Sequence, residues 1–240
     1  MSIVYFISDA HLGLNDQSAE KIKENQIIAF LKSIQKRADR LFILGDLFDA
    51  WIEYRTVIPK GFHRTLAALH DLHDNGTEIH FLVGNHDCWA RDYFSSEIGM
   101  IIHHQPFDII IDGKKIFLHH GDGLCPNDKG YRILKKIVRH PFAIWLFSWL
   151  HPDIGLKIAR SSSQKSRYHS EKKHYGEEDG MLKYATSKIN DGYDYVIMGH
   201  RHLPAQTIIQ NGIYINLGDW ITHLTYAKME NGELKLEQWK

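Results

Sequence analysis

The chain has 240 residues, 43% of them apolar, enough for a large buried core, and its 29 lysines and arginines balance 29 aspartates and glutamates. A net charge of zero excludes an overall field that would gather nucleic acid or an anionic surface, so any such contact has to be local. Two cysteines, Cys88 and Cys125, are too few for a disulfide framework and read as free thiols in a reducing compartment.

The N-terminus carries no basic segment and no small-residue cleavage site, and its apolar run leads straight into Ser8-Asp9, so residues 3–7 read as a first strand rather than a signal. Ile27, Phe30, Leu31 and Ile34 fall at i, i+3, i+4 and i+7, one face of an amphipathic helix. A second strand comes next at 41–44, and then a helix carrying Phe62, Leu66 and Leu69 that stops at Asn75-Gly76. Further buried strands are predicted at 79–83, 116–118, 195–198 and 213–217. At the C-terminal end, 224–229 and 234–239 flank an Asn231-Gly232 pair suited to a hairpin turn. The pattern predicts one α/β domain over 1–240, expected to be cytoplasmic, because the most apolar later stretch, 142–150, falls short of the ~18 residues a spanning helix needs.

About eighty residues between His120 and His200 break the rhythm of strands. They hold helical patterns at 131–138 and 177–189, an aromatic stretch at 141–150 and a polar stretch at 161–173, and read as a helical insertion at about 127–190 over the site.

The chemistry lies at the carboxyl ends of the strands: Ser8-Asp9-Ala10-His11, Gly45-Asp46, Gly84-Asn85-His86-Asp87, His120-Gly121-Asp122 and Gly199-His200-Arg201-His202. In an open α/β sheet, ligands bind beyond those ends, so scattered residues can converge there. Residues two apart in extended backbone point the same way, which lets Asp9 with His11, and His200 with His202, aim into one site. Seven ligands, Asp9, His11, Asp46, Asn85, His120, His200 and His202, exceed one tetrahedral zinc and suit two ions bridged by Asp46. The mixture of carboxylate, amide and imidazole suits Mn²⁺ first, with Zn²⁺ or Fe²⁺ as alternatives. Two divalent ions outweigh Asp9 and Asp46 and leave a positive pocket for phosphate oxygens. His86 is the candidate to protonate a leaving oxygen or steady the phosphoryl group, with Asp87 orienting it. Asp122 and Asn216 are candidates for outer support, and His119 for a strand residue beside the ligand His120. His63, His70, His73, His80, His103, His104, His140 and His151 carry no assignment.

The order Asp-x-His, Gly-Asp, Gly-Asn-His-Asp, His-Gly, Gly-His-x-His resembles the calcineurin-like metallophosphoesterases. That resemblance implies a four-layer α/β/β/α sandwich, with Asp9, His11, Asp46 and His202 around one ion and Asp46, Asn85, His120 and His200 around the other. The segments 45–51 and 120–131, together with the insertion, resemble the UDP-2,3-diacylglucosamine hydrolases of lipid A biosynthesis over nearly the whole chain. This closer resemblance implies cleavage of a pyrophosphate to UMP and diacylglucosamine 1-phosphate, with a lipid-linked nucleotide substrate and a peripheral place on the cytoplasmic face of the inner membrane. It further implies substrate contacts from Asn85, Asp128, Tyr131, Ser166, Lys173 and His200. The apolar stretch with Trp145, Phe147 and Trp149 reads either as an acyl-chain or bilayer contact or as an ordinary helix packed onto the core. His86 stands where those hydrolases have arginine, which keeps open a phosphodiesterase or pyrophosphatase of a soluble nucleotide. A binding scaffold that has lost catalysis is the reading from another class, and the complete ligand set argues against it.

Overall fold

The computed structural model of the chain describes residues 2–14, 16–124, 129–172 and 177–240, with the side chains of 129, 164–172 and 177–179 left aside. The strands are β1 (Ile3–Ile7), β2 (Arg40–Ile43), β3 (Glu78–Leu82), β4 (Ile101–His103), β5 (Phe107–Ile111), β6 (Lys114–His119), β7 (Tyr195–Met198), β8 (Ala205–Ile209), β9 (Gly212–Asn216), β10 (Thr225–Glu230) and β11 (Glu233–Gln238). The helices are α1 (Gln17–Ile34), α2 (His63–Asp74), α3 (Tyr93–Glu97), α4 (Lys129–Val138), α5 (Pro141–Phe147), α6 (Pro152–Lys172) and α7 (Glu177–Asn190).

One sheet runs β11-β10-β1-β2-β3-β4 and the other β5-β6-β7-β9-β8. The central strands are parallel within each sheet, β1 to β4 in the first and β6, β7 and β9 in the second. Strand alternation divides the core. Val4 and Phe6 of β1 point into the space between the sheets with Phe42, Leu118, Ile197 and Ile215, whereas Tyr5 and Ile7 point out to α1 and α2. The predicted face of α1 is buried there, capped by Asp16, whose side chain accepts the N–H groups of Ser18 and Ala19. The layers are therefore helix, sheet, sheet, helix.

The C-terminal turn is the expected one, with Asn231 at φ 56° and Gly232 at φ 78° between β10 and β11. Three strands were not anticipated, and all lie at or beside sheet edges. β5 and β8 alternate half-buried with exposed residues, so neither shows the buried apolar run that marks a central strand. The polar stretch at 161–173 is helical through Lys172, as the second half of α6. The expected insertion is shorter than 127–190: Met181, Ala185 and Ile189 of α7 pack on Val196, Met198 and Tyr214, so α7 is the outer layer of the second sheet. Among the described residues, α4 to α6 stand outside the sandwich pattern. No helix among the described residues is long and apolar enough to cross a membrane.

Phe6 is wholly buried and stacks on Phe42 across a 5.1 Å centroid distance. Phe6→Ala should lower unfolding stability by ~3–5 kcal/mol, read from denaturant midpoints at unchanged slope.

Candidate metal centre

Beyond β1 and β2 the parallel pairing continues, with the Asp9 N–H donating to the Gly45 carbonyl at 3.1 Å and the His11 N–H to the Asp46 carbonyl at 2.9 Å. The strands of the second sheet end at the same place: the His120 Nδ1 meets the Leu44 carbonyl at 2.7 Å and the His200 N–H donates to the Asp9 Oδ2 at 2.8 Å. Asp9, His11, Asp46, His200 and His202 all have φ between 43° and 69°, a left-handed backbone that non-glycine residues rarely adopt. The neighbouring glycines make this crowding possible. A Cβ on Gly84 would strike the Asp46 carboxylate, and one on Gly199 would strike that of Asp9.

Each buried carboxylate has one oxygen engaged and the other aimed inward. The Asp46 Oδ1 accepts the His86 N–H at 2.9 Å, while its Oδ2 lies 3.3 Å from the His120 Nε2 and 3.6 Å from the His11 Nε2. The Asp9 Oδ1 is buried with no hydrogen-bond partner, 3.5 Å from the His202 Nε2 and 3.7 Å from the His11 Nε2.

The imidazoles are oriented from behind. The His11 Nδ1 faces the Asp49 carboxylate at 3.3 Å and the His202 Nδ1 faces that of Asp219 at 3.5 Å. Partners of that kind place the proton on Nδ1 and a bare lone pair on Nε2. The two Nε2 atoms nevertheless lie 3.2 Å apart, and the His120 Nε2 lies 3.0 Å from the Asn85 Oδ1. Acceptor facing acceptor at these distances is repulsive unless a cation or proton stands between them. The donor set therefore fits metal ions, and three groups have ligand atoms within 4.8 Å of one another: Asp9, His11 and His202; His11, Asp46 and His86; Asp46, His120 and His200.

Protons take the cations' place in the metal-free protein. Burial alone would lower the pKa of His11 and of His120, but Asp49 and Asp9 raise the first to about 9 and Asp46 raises the second to about 10. Burial would likewise raise Asp46, yet the charge of His120 holds it well below its ordinary value. Burial, then the charge of His120, pushes His200 down to about 4.

All seven proposed ligands lie around the cluster, and His120 rather than His119 faces it. The His119 Nδ1 accepts the Gly121 N–H at 2.6 Å, and its ring packs on Tyr184. His86 is drawn in further than expected, its Nε2 4.0 Å from the Asp46 Oδ2. Its Nδ1 meets the Asp49 carbonyl at 2.9 Å, so Asp49, not Asp87, turns the ring. Asp87 instead accepts the Gly84 N–H at 2.7 Å and the Leu47 N–H at 2.8 Å, bracing the two ligand loops against each other. Burial, then the charge of Asp46, raises its pKa to about 7. Asn216 donates to the Gly199 carbonyl at 2.8 Å and accepts the Gly218 N–H at 3.1 Å, and so holds another ligand loop. Asp122 accepts the Tyr131 hydroxyl at 2.9 Å and the Lys135 ammonium at 2.7 Å. Asp128 and Lys173 lie outside the described residues, as does the side chain of Ser166. Asp49 and Asp219 were missed in the sequence, although Gly218-Asp219 repeats after β9 the Gly-Asp pattern seen after β2.

The model of the calcineurin-like phosphoesterase family matches residues 3–204. The chain is a calcineurin-like phosphoesterase. It is 34% identical to a UDP-2,3-diacylglucosamine hydrolase of Porphyromonas gingivalis (strain ATCC BAA-308 / W83), over 98% of this chain and 97% of that protein. A protein of the same name from Pseudomonas aeruginosa (strain UCBPP-PA14) is 31% identical over 90% of each. A solved structure described as a novel archaeal phosphodiesterase shares the phosphoesterase's fold with a TM-score of 0.51, at 14% identity over 98% of each chain.

Asp46→Ala should abolish binding of both ions, whereas Asp219→Asn should weaken one by about 10- to 100-fold, counted by metal analysis and titration. Mn²⁺ added to the metal-free phosphoesterase at pH 7 should release protons, because His11 and His120 still hold theirs there. The stabilisation from these two raised pKa values is complete below their ordinary 6.5 and is lost as pH climbs through about 9 and 10. Metal-free protein should therefore unfold at lower denaturant at pH 10 than at pH 6.5.

Proposed function

We propose that this phosphoesterase hydrolyses the pyrophosphate of UDP-2,3-diacylglucosamine to UMP and 2,3-diacylglucosamine 1-phosphate. The carrying observation is a cavity of about 400 Å³ that begins at Asp49, Asn85 and His86 beside the ligand cluster and continues among Leu134, Ile137, Ala143, Phe147 and Ile158 of α4, α5 and α6. A hydrolase of soluble nucleotides has no use for so apolar a continuation, whereas acyl chains do. Relatives named UDP-2,3-diacylglucosamine hydrolase, 31–34% identical over most of the chain, support the same reading.

In this reading Asp9, His11, Asp46 and His202 hold one divalent ion and Asp46, Asn85, His120 and His200 the other, with manganese the first choice. When bound, the ions supply Lewis acidity and a water activated near neutral pH. Asn85 and His200 also contact the phosphates. Burial lowers the pKa of His86, so its Nε2 is bare until an incoming phosphate draws a proton onto it. Once charged, it steadies the phosphoryl oxygens, at the position where the hydrolases it resembles have arginine. Little acid catalysis is needed, because the departing sugar phosphate is itself the anion of an acid with a pKa of about 6. Tyr131 lines the same cavity as Asn85, its hydroxyl held by Asp122.

The exposed apolar side chains Phe142, Trp145, Leu146 and Trp149 of α5 and the turn after it would rest on the membrane that carries the lipid substrate, the cytoplasmic face of the inner membrane in this reading. α4 to α6 then serve together as acyl receptor and membrane foot.

The acylated sugar nucleotide should be cleaved far faster than UDP-N-acetylglucosamine, since each buried methylene contributes up to ~0.8 kcal/mol. In ¹⁸O water the label should appear in UMP. Equal rates with and without acyl chains would favour a soluble nucleotide as substrate, and label in the sugar phosphate would move the attack to the other phosphorus.

A further inference from the structure

A second cavity, of about 520 Å³, shares Cys88, Trp89 and Arg139 with the first and opens between the ends of β3 and β4 and helix α5. Its charge is one-sided. Among the described residues Arg91, Arg139 and His104 line it, and no carboxylate does. Arg91 is exposed and makes no ion pair with a described residue. The Arg139 Nη2 donates to the Gly84 carbonyl at 2.8 Å and lies 3.6 Å from the Asp122 carboxylate, which leaves other N–H groups of its fork for a ligand. Burial lowers the pKa of His104, and the charge of Arg139 lowers it further, as expected for two basic groups facing each other with no acid between. A cavity so lined suits an oxyanion, and a phosphate matches the guanidinium fork.

The rim indicates which phosphate. Trp145 lines the cavity and is 54% exposed, between Phe142 at 62% and Trp149 at 75%. The three lie at i, i+3 and i+7, with ring centroids 5.7 Å and 6.0 Å apart, so they form one aromatic ladder on one side. Tryptophans settle at the headgroup level of a bilayer, and a helix resting there by such a ladder brings its polar neighbours to the depth of the lipid phosphates. A free anion would not require the ladder.

We propose that this cavity binds the headgroup phosphate of an anionic phospholipid, with Arg91 as its principal cation and Trp145 in the adjoining interface. The proposal rests on α5 lying against the membrane, as in the proposed function, and adds a lipid site separate from the substrate's.

Co-sedimentation of the intact, metal-loaded protein with phosphatidylcholine vesicles, with and without phosphatidylglycerol, tests it. Phosphatidylglycerol should strengthen binding, and Arg91→Glu should weaken binding to those vesicles by about tenfold or more. Lys157→Glu, the same charge change on α6 outside this cavity, should weaken it several-fold less; an equal loss would mean a diffuse field and overturn the site. Soluble dihexanoyl-phosphatidylglycerol should shift the Trp89 indole and His104 ring resonances saturably. Equal saturation by inorganic phosphate would assign the cavity to a free anion and overturn the lipid. Arg91→Glu should keep wild-type turnover of bis-p-nitrophenyl phosphate, which shows that the variant is folded. Cleavage of the acylated sugar nucleotide in detergent is read separately, so a failure of the proposed substrate is distinguishable from a failure of the lipid site.

Discussion

Two carboxylates, Asp9 and Asp46, sit fully buried at the meeting of two sheets, each with one oxygen satisfied by a backbone N–H and the other aimed at imidazole nitrogens. Unpaired negative charge cannot persist at such depth, so the surrounding arrangement is committed to cations. The left-handed backbone at five of the ligand positions, the glycines that leave room for carboxylates, and the Asp87 and Asn216 braces all hold this one convergence together. Each would be hard to explain as packing alone.

Orientation from behind matters as much as the ligand atoms themselves. Asp49, Asp219 and the Leu44 carbonyl each meet the Nδ1 of a ligand histidine and so turn the Nε2 lone pair inward. Asp49 does more than this: its carbonyl meets His86 and its carboxylate accepts the buried Ser163 hydroxyl of α6 at 3.0 Å. The helical segment outside the sandwich is thus tied to the back of a candidate metal ligand, and Lys135 and Arg139 of the α4 region tie it to Asp122 beside another. The apolar cavity and the charged cluster are built by the same few contacts.

Crowding of function at one end comes from topology. Parallel strands in both sheets deliver their carboxyl ends to the same edge, and the connection between β6 and β7 contains α4 to α6, whose side chains line a cavity with Asn85 and His86 there. Apolar surface that would normally be buried stays exposed on α4, α5 and α6, where several such side chains cluster next to the site. A phosphoesterase centre beside an apolar receptor and an exposed aromatic ladder is the physical form that a lipid-linked phosphoester calls for.

The amino-acid sequence by itself determined the candidate ligand types and the central strands. Those signals are local: an apolar run of strand length with glycine and a ligand at its end, or two ligands two residues apart, constrains its neighbours wherever the chain goes. Edge strands β5 and β8, half exposed, left no such run, and helix α7 looked like its neighbours in the insertion because helical periodicity does not say which surface a helix covers. Only the tertiary structure decided that Asp49 and Asp219 back the histidines, that Asp87 braces loops instead of turning His86, and that Arg91, His104 and Arg139 share a cavity. Those pairings join residues far apart in the chain, and a contact of that kind leaves no mark on the local spacing of either partner.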